Sequence, residues 1–257
     1  MITFEKVTKR FGGKTVLNEI SFEVPRGETF VIVGLSGAGK SVTIKHMVRL
    51  LTPDSGIVRI GNDVISSARG AELERIRGRF GVLFQGAALL QWLTVFENVA
   101  LPLREHTKMS EEEVEKTVME KLRMLNMEDS AEMFPADLSG GMQKRVGLAR
   151  AIVMDPEIIL YDEPTSGLDP VTSRLIDQRI KDLRRELGMT SVVVTHDLHS
   201  ALSIGTHIMM IDDGRIVENA VPKEFIQSKN KTVQQFLESQ YITRRGEWEK
   251  GMDNHVG

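Results

Sequence analysis

Three short, unbroken apolar runs stand out along the chain, at residues 30–33 (FVIV), 158–161 (IILY) and 192–194 (VVV). Runs of this length are typical of β-strands that are buried on both faces. Helical patterns separate them, and turn-forming or charged residues follow each one. An earlier stretch containing Leu17, Ile20, Phe22 and Val24 is close to strand alternation. We therefore predict an α/β fold with a largely parallel sheet.

Residues 87–154 have mostly helical periodicity. Ser110 and Glu113 form a capping-box pattern, in which each side chain satisfies an amide of the other residue. The helix that follows has one apolar face, made of Val114, Val118, Leu122 and Leu125. We interpret residues 87–154 as a helical subdomain inserted into a core formed by residues 1–86 and 155–228.

A second helix is predicted after the apolar run at 158–161. Asp169 is its expected N-cap, Pro170 lies in the first turn, and Gly188 ends it. Its predicted inward-facing residues are Leu175, Ile176, Ile180, Leu183 and Leu187.

Residues 229–257 are predicted to form a polar C-terminal extension. Its scattered apolar side chains are Phe236, Leu237, Tyr241 and Trp248. Two interpretations stay open for this extension, a docking arm and a frayed end.

Composition narrows the class of protein. The 257 residues include 33 Lys and Arg against 36 Asp and Glu, so the net charge is −3, which argues against a general nucleic-acid binder. The absence of cysteine excludes disulfides, thiolate metal sites and cysteine nucleophiles. Mean hydropathy is −0.15, and no apolar run approaches the roughly 20 residues that cross a bilayer. We expect a cytoplasmic chain without nucleic-acid partners.

A glycine-rich segment follows the first apolar run and precedes a helical pattern. Its residues fit the P-loop, in which backbone amides surround phosphate oxygens and a lysine and a hydroxyl contact the phosphates and Mg²⁺. An ordinary glycine-rich turn is the alternative, and the flanking strand and helix weigh against it. The segment consists of Gly34, Leu35, Ser36, Gly37, Ala38, Gly39, Lys40 and Ser41.

Two carboxylates end the second apolar run. Asp162 is a candidate Mg²⁺ ligand and Glu163 a candidate general base for an attacking water. His196 follows the third run and is a candidate contact for a γ-phosphate. Without the P-loop these residues would be read as polar strand ends and a structural histidine.

The pentapeptide at 138–142, LSGGM, resembles the signature of ATP-binding-cassette (ABC) ATPases, usually LSGGQ. Other motifs of that family occur in the same order. Phe11 stands at the adenine-stacking position, Gln85 at the Q-loop, Asp162 and Glu163 at the Walker B end, residues 166–169 at the D-loop, and His196 at the switch histidine. The resemblance spans residues 2–228.

This resemblance implies a P-loop ATPase with a RecA-like core, an N-terminal antiparallel β subdomain and an inserted helical subdomain. It implies ATP and Mg²⁺ as ligands, with Ser41, Gln85 and Asp162 holding the metal. Catalysis is then expected from Glu163, His196, Lys40 and Gln85. In this family Ser139, Gly140 and Gly141 complete the site of a second ATPase subunit, so we expect a dimer, most simply of identical chains, around two ATP molecules.

A finer resemblance is to the ATPase subunits of MCE-type lipid transporters, including the Mla phospholipid systems. It is carried by residues 84–90 (FQGAALL) and 98–107 (NVALPLREHT), and by Met142 in the signature with the residues Gln143, Lys144 and Arg145 that follow it. It implies phospholipid transport, a multispanning permease, an MCE-domain partner and a position on the cytoplasmic face of the inner membrane. Candidate permease contacts are Leu89, Leu90, Trp92 and Leu93, with subdomain core as the alternative.

Other function classes stay open at this stage. The ATPase of a solute importer for amino acids or metal chelates shares all the catalytic motifs. A soluble cassette ATPase usually carries two cassettes or a long coiled coil, and this sequence has neither. The signature pentapeptide argues against a P-loop kinase or a switch GTPase.

Overall fold

The computed structural model describes residues 1–240, which form two β-sheets and a set of helices. The strands are β1 (Ile2–Phe11), β2 (Lys14–Val24), β3 (Thr29–Val33), β4 (Ser55–Ile60), β5 (Asp63–Val64), β6 (Phe80–Leu83), β7 (Ile158–Asp162), β8 (Thr190–Val194), β9 (His207–Asp212) and β10 (Arg215–Ala220). The helices are α1 (Lys40–Met47), α2 (Gly70–Arg77), α3 (Val95–His106), α4 (Glu111–Met124), α5 (Gly140–Ile152), α6 (Pro170–Leu187), α7 (Leu198–Ile204), α8 (Pro222–Phe225) and α9 (Lys231–Ser239). Within these 240 residues, none of the helices has the length and apolarity needed to cross a bilayer.

The larger sheet has the strand order β10-β9-β3-β8-β7-β6. Its strands are parallel except for β10, which pairs antiparallel with β9. Every residue of β3 and β8 is buried, because helices cover one face of the sheet and the smaller sheet together with α1 covers the other. The predicted buried strands are therefore confirmed. The loops after β3, β6, β7 and β8 leave the same edge of the sheet, where α/β proteins bind ligands.

The smaller sheet is antiparallel, with the order β2-β1-β4-β5. Its inner face packs against the larger sheet through stacked aromatic rings. The ring centroids of Phe4 and Phe22 lie 4.6 Å apart, and those of Phe22 and Phe30 lie 5.7 Å apart. Near the start of β2, Val16 and Leu17 lie against Gly39 of the loop that follows β3.

Helices α3, α4 and α5 lie between β6 and β7 in the chain. The capping box at Ser110 is present, with Glu113 donating its amide to the Ser110 hydroxyl, and a second one occurs at Thr94. The predicted apolar face of α4 is buried. Of the predicted permease contacts, Trp92 is 72% exposed, whereas Leu89 is buried in the core and Leu90 and Leu93 are half-buried. For Leu89 the structure therefore supports the alternative interpretation, subdomain core.

Helix α6 begins and ends where predicted. The Asp169 carboxylate accepts from the amides of Val171 and Thr172, and Gly188 adopts left-handed backbone angles at the other end. Ile176, Ile180 and Leu183 are buried as expected, and burial of the helix ends at Leu183.

Two residues of α6 do not face inward as predicted. Leu175 is 61% exposed because it lies about 100° around the helix from Ile176. Leu187 is exposed because it belongs to the last turn, beyond Leu183, where the core no longer covers the helix.

The residues after β10 return to the core. Helix α9 buries Val233, Phe236 and Leu237 in the same apolar cluster as the signature helix α5. Residues 231–239 are therefore not a frayed end, because they pack against the core of this same chain. Tyr241 and Trp248 lie outside the described residues.

Candidate functional site

The loop between β3 and α1 curves tightly around Lys40. The Lys40 ammonium group donates to the carbonyl oxygens of Gly34, at 2.8 Å, and Leu35, at 3.1 Å. Gly39 caps α1 with φ 107°, and a Cβ there would lie 2.9 Å from the Val16 carbonyl oxygen. Only glycine satisfies both constraints. The loop amides and the positive end of α1 face the same space, which suits a phosphate.

Burial and charge act in opposite directions on Lys40. Burial lowers the pKa of its ammonium group, while the carboxylates of Glu163 and Asp162 raise it. The two carboxylates thus offset part of the cost of holding a cation inside the loop.

Two oxygen atoms meet beside this loop. The Ser41 hydroxyl donates to Asp162 Oδ1 at 2.9 Å, which joins the start of α1 to the end of β7. Hydroxyl and carboxylate oxygens are the donors that Mg²⁺ prefers. No cluster of three or more His, Asp and Glu side chains suited to a metal occurs between residues 1 and 240. This donor set therefore fits a cation that phosphate and water complete, as is usual for Mg²⁺.

Glu163 has an unusual backbone conformation, with φ 51°. Its amide donates to the Val194 carbonyl oxygen at 2.9 Å, and its Oε2 lies 2.8 Å from His196 Nδ1 and 3.5 Å from Thr195 Oγ1. Its buried carboxylate therefore touches the more exposed imidazole of His196. Strained angles at a polar residue in a cleft are common at active sites.

Most of these groups line one cavity of about 500 Å³. Gln85, Glu163 and His196 share it with the loop residues Leu35, Ser36, Gly37, Gly39, Lys40 and Ser41. An adjoining cavity of about 830 Å³ contains residues 165–168, Asp177, His196 and Ser200. Sequence reasoning missed four residues of the first cavity, Val16, Val42, Phe236 and Gln240, and the last of these lines both cavities.

Phe11 lies at the end of β1 and is not among the residues that line the first cavity. Its ring is exposed, and Lys9 Nζ lies 5.4 Å from the ring centroid. The Lys9 ammonium group thus lies over one face of this ring.

The signature residues form a separate group. Ser139 caps α5, and its hydroxyl accepts from the Met142 amide at 3.3 Å. Ser139 and Gly141 line a different cavity, of about 190 Å³, next to α6. Gly141 packs so closely on α6 that a Cβ would lie 2.4 Å from Thr172 Cγ2. The structure thus does not bring Ser139, Gly140 and Gly141 to the loop around Lys40 within one chain.

One functional candidate that sequence reasoning missed is Lys144. Its ammonium group is buried between Gln85 and Glu163 and donates to the carbonyl oxygens of both. A lysine among the buried residues of α5, with Val146, Gly147 and Leu148, is the signal that could have indicated it.

The phosphate-binding loop, its lysine and the carboxylates at the end of β7 define a P-loop nucleoside-triphosphate-binding protein. Residues 17–166 match the family model described as ABC transporter. The chain belongs to this family and is an ABC ATPase.

Comparison with solved structures confirms the ABC ATPase fold. The dimeric ATP-binding cassette MJ0796 bound to ADP and Pi superposes with a TM-score of 0.79 at 37% identity, covering 86% of this chain and 99% of that one. CbiO1 from Clostridium perfringens, part of the cbiONQ transporter complex, has a TM-score of 0.83 at 27% identity, covering 98% of each chain.

Curated relatives of two kinds are similar over most of the chain. The probable ribonucleotide transport ATP-binding protein mkl of Mycobacterium leprae is 39% identical, over 94% of this chain and 70% of the relative. The same-named protein of Mycobacterium tuberculosis H37Rv is 40% identical, and this chain spans 66% of its length. The intermembrane phospholipid transport system ATP-binding protein MlaF of Escherichia coli K12 is 36% identical, over 93% of this chain and 88% of the relative.

Proposed function

We propose that this chain is the ATP-hydrolysing subunit of a transporter that moves phospholipid through a separate membrane permease. The observation that carries the proposal is the 35–36% identity to MlaF phospholipid-transport proteins over 93% of this chain. The ATPase of a solute importer is the alternative. The name of the mkl relatives adds ribonucleotide as a second cargo class.

The site geometry supports a specific placement of ATP. The triphosphate lies along the loop of residues 34–41, where amides and the Lys40 ammonium group face it. Lys40 exchanges its carbonyl partners for β- and γ-phosphate oxygens, because charged acceptors bind an ammonium group more strongly. Phe11 stacks on the adenine.

Ser41 and Asp162 hold the Mg²⁺ of the nucleotide, and Gln85 is its further ligand. The ion, when bound, neutralises charge on the β- and γ-phosphates. Glu163 accepts the proton of the attacking water. His196, held by the Glu163 carboxylate, donates to the γ-phosphate.

A second ATPase subunit is needed to complete each site. Within one chain, Ser139 and Gly141 line a cavity other than the one around Lys40, and Gly140 is not among the residues that line the cavity around Lys40. In a head-to-tail dimer, most simply of two identical chains, these residues contact the γ-phosphate held by the other subunit. The dimeric state of the similar cassette MJ0796 supports this arrangement.

The membrane partners follow from the same relationship. A multispanning permease binds the surface around the exposed Trp92, and an MCE-domain protein receives or delivers the lipid. The chain then lies at the cytoplasmic face of the inner membrane as a peripheral subunit.

The first test concerns catalysis. Glu163→Gln removes the proton acceptor and keeps the shape of the side chain, so ATP binding stays and phosphate release stops. Glu157→Gln is the matched control, because Glu157 pairs with Arg26 and Arg79 at the surface, outside both cavities. Undiminished hydrolysis by the Glu163 variant would remove this residue from its role.

The second test concerns cargo. The chain is recovered from native membranes in a gentle detergent, and proteins and lipids are identified by mass spectrometry. A permease, an MCE-domain protein and phospholipid together support lipid transport. Recovery of a permease with a soluble binding protein, or with bound nucleotides, indicates that the cargo is a solute and not phospholipid. The absence of any membrane protein contradicts the transporter assignment.

A further inference from the structure

Lys144 is a buried cation without a carboxylate partner. Its side chain is 5% exposed, and within residues 1–240 its ammonium group forms no ion pair. A buried charge is costly unless polar groups compensate it. Two backbone carbonyl oxygens accept from it directly, those of Gln85 and of Glu163, the latter at 3.2 Å. The nearby carboxylates of Glu163 and Asp162 raise the pKa of Lys144 and offset part of the effect of burial, without forming an ion pair with it. These two residues belong to different loops, after β6 and after β7.

The contact to Gln85 is the first of three that tie the loop after β6 to helix α5. Arg150 donates to the carbonyl oxygens of Ala87, at 2.7 Å, and Ala88, at 2.9 Å. Between these two cations, a Cβ added to Gly147 would lie 3.1 Å from the Ala87 Cβ. Every third residue of α5, from 144 to 150, therefore contacts the loop or approaches it closely.

These contacts stabilise a strained stretch of backbone in the same loop. Ala87 and Ala88 both have left-handed angles, with φ 57° and 50°. Such angles cost free energy in alanine and persist where surrounding contacts compensate. The donors on α5 are such contacts, so the path of the loop depends on the position of the helix.

The hydrogen bond from Lys144 to the Glu163 carbonyl oxygen likewise holds a strained backbone in place. The amide of Glu163 is held by Val194 on β8, and its carbonyl oxygen by Lys144 on α5. Both ends of a residue with φ 51° are thus fixed by other elements. Because the peptide groups fix the direction of the Cα–Cβ bond, they also determine where the carboxylate points.

We propose that Lys144 is a positioning residue of the ATPase reaction, which couples the signature helix α5 to the catalytic loops. Its ammonium group holds the backbones of Gln85 and Glu163 in one arrangement relative to α5. A displacement of α5, whose first residues meet the second subunit, then changes the direction of both side chains. This inference rests on the roles proposed above for Gln85 and Glu163.

The test compares Lys144→Met, which keeps an unbranched side chain and removes the donor, with Lys144→Arg, which retains a buried cation. Hydrogen bonds from a charged group contribute enough that we expect kcat of the methionine variant to fall about 10- to 100-fold. KM for ATP and equilibrium ATP binding change less than about 3-fold, because Lys144 does not line the nucleotide cavity. The arginine variant recovers most of kcat.

The matched control is Lys121→Met. Lys121 is also 5% exposed, lies on α4, and pairs with Asp155 at 2.6 Å, away from both catalytic loops. Its loss lowers the melting temperature and leaves kcat of the folded protein unchanged. Should Lys144→Met not fold, Lys144→Leu, which also removes the donor and has a shorter side chain, is measured in the same assays.

The outcomes separate the two proposals. A wild-type kcat in the folded Lys144→Met or Lys144→Leu variant overturns the positioning role. So does a loss of activity that only follows the fraction unfolded, as in the Lys121 control, or a loss of ATP binding equal to the loss of kcat. If Glu163→Gln hydrolyses ATP normally, the proposed catalytic role of Glu163 fails instead, whatever the Lys144 variants do.

Discussion

The buried carboxylate of Asp177 makes stability depend on pH in a predictable direction. It lies on α6, is 6% exposed, and accepts from the Ser200 hydroxyl at 2.5 Å. Burial raises the pKa of Asp177 from its ordinary 3.8 to about 6, assisted by the charge of Asp197 and opposed by the Ser200 hydrogen bond and Lys181. Well below pH 3.8 the Asp177 carboxyl group is protonated in both the folded and the unfolded chain, so its burial costs no electrostatic free energy.

As pH rises from about 4 to 6, the unfolded chain loses this proton first, and stability falls. Above pH 6 the group is charged in both states, and the full cost is about 3 kcal/mol, from 1.36 kcal/mol per pH unit between 3.8 and about 6. Asp177→Asn stays neutral and still accepts from Ser200. We therefore expect it to be more stable than the unchanged chain by about 3 kcal/mol at pH 7.5, or about 6–12 °C in melting temperature.

The assay is thermal or urea unfolding of both proteins between pH 5 and 8. The advantage of Asp177→Asn should fall to about half by pH 5. Asp182→Asn, on the same helix, is the control, because the Asp182 carboxylate accepts from Gln178 and Arg185 near the surface. An Asp177→Asn variant that is no more stable at pH 7.5, or whose advantage is the same at every pH, would refute the reasoning.

Two further predictions concern packing around α6 and use the same unfolding measurement. Gly141→Ala should lower the free energy of unfolding by about 1–3 kcal/mol through overlap with Thr172, and Thr172→Ser in the same chain should restore most of it. A double variant as unstable as the single one would exclude this contact as the cause. Leu175→Gln should change stability by no more than about 0.5 kcal/mol, whereas Ile176→Ala should cost about 2–5 kcal/mol; equal losses would contradict the orientation of α6.

The features predicted correctly are those whose signal is contiguous in the chain. Residues 34–41 place the glycines, Lys40 and Ser41 within one strand-turn-helix unit. Asp162 and Glu163 directly follow a buried strand, and the edge of a parallel sheet brings them to the same loop. Asp169 and Gly188 bound α6 through local capping alone.

The features that were missed depend on distant parts of the chain. Lys144 contacts Gln85, 59 positions away, and Glu163, 19 positions away. A local sequence pattern cannot indicate contacts at this separation. The predicted inward face of α6 included too many residues, because periodicity locates the centre of an apolar stripe better than its edges. Leu175 lies at such an edge and is exposed. Val233, Phe236 and Leu237 have helical spacing, but only the structure shows that the core has room for them.

The position of Gln240 makes it a suitable site for a fluorescent label that reports on the ATPase cycle. Gln240 follows α9 and lines both the cavity at Lys40 and the cavity beside residues 165–168. Since the sequence contains no cysteine, Gln240→Cys creates a single thiol for labelling without any other substitution. A fluorophore attached there would lie at both cavities, so under the function proposed above one dye would follow nucleotide binding and the approach of the second subunit in real time.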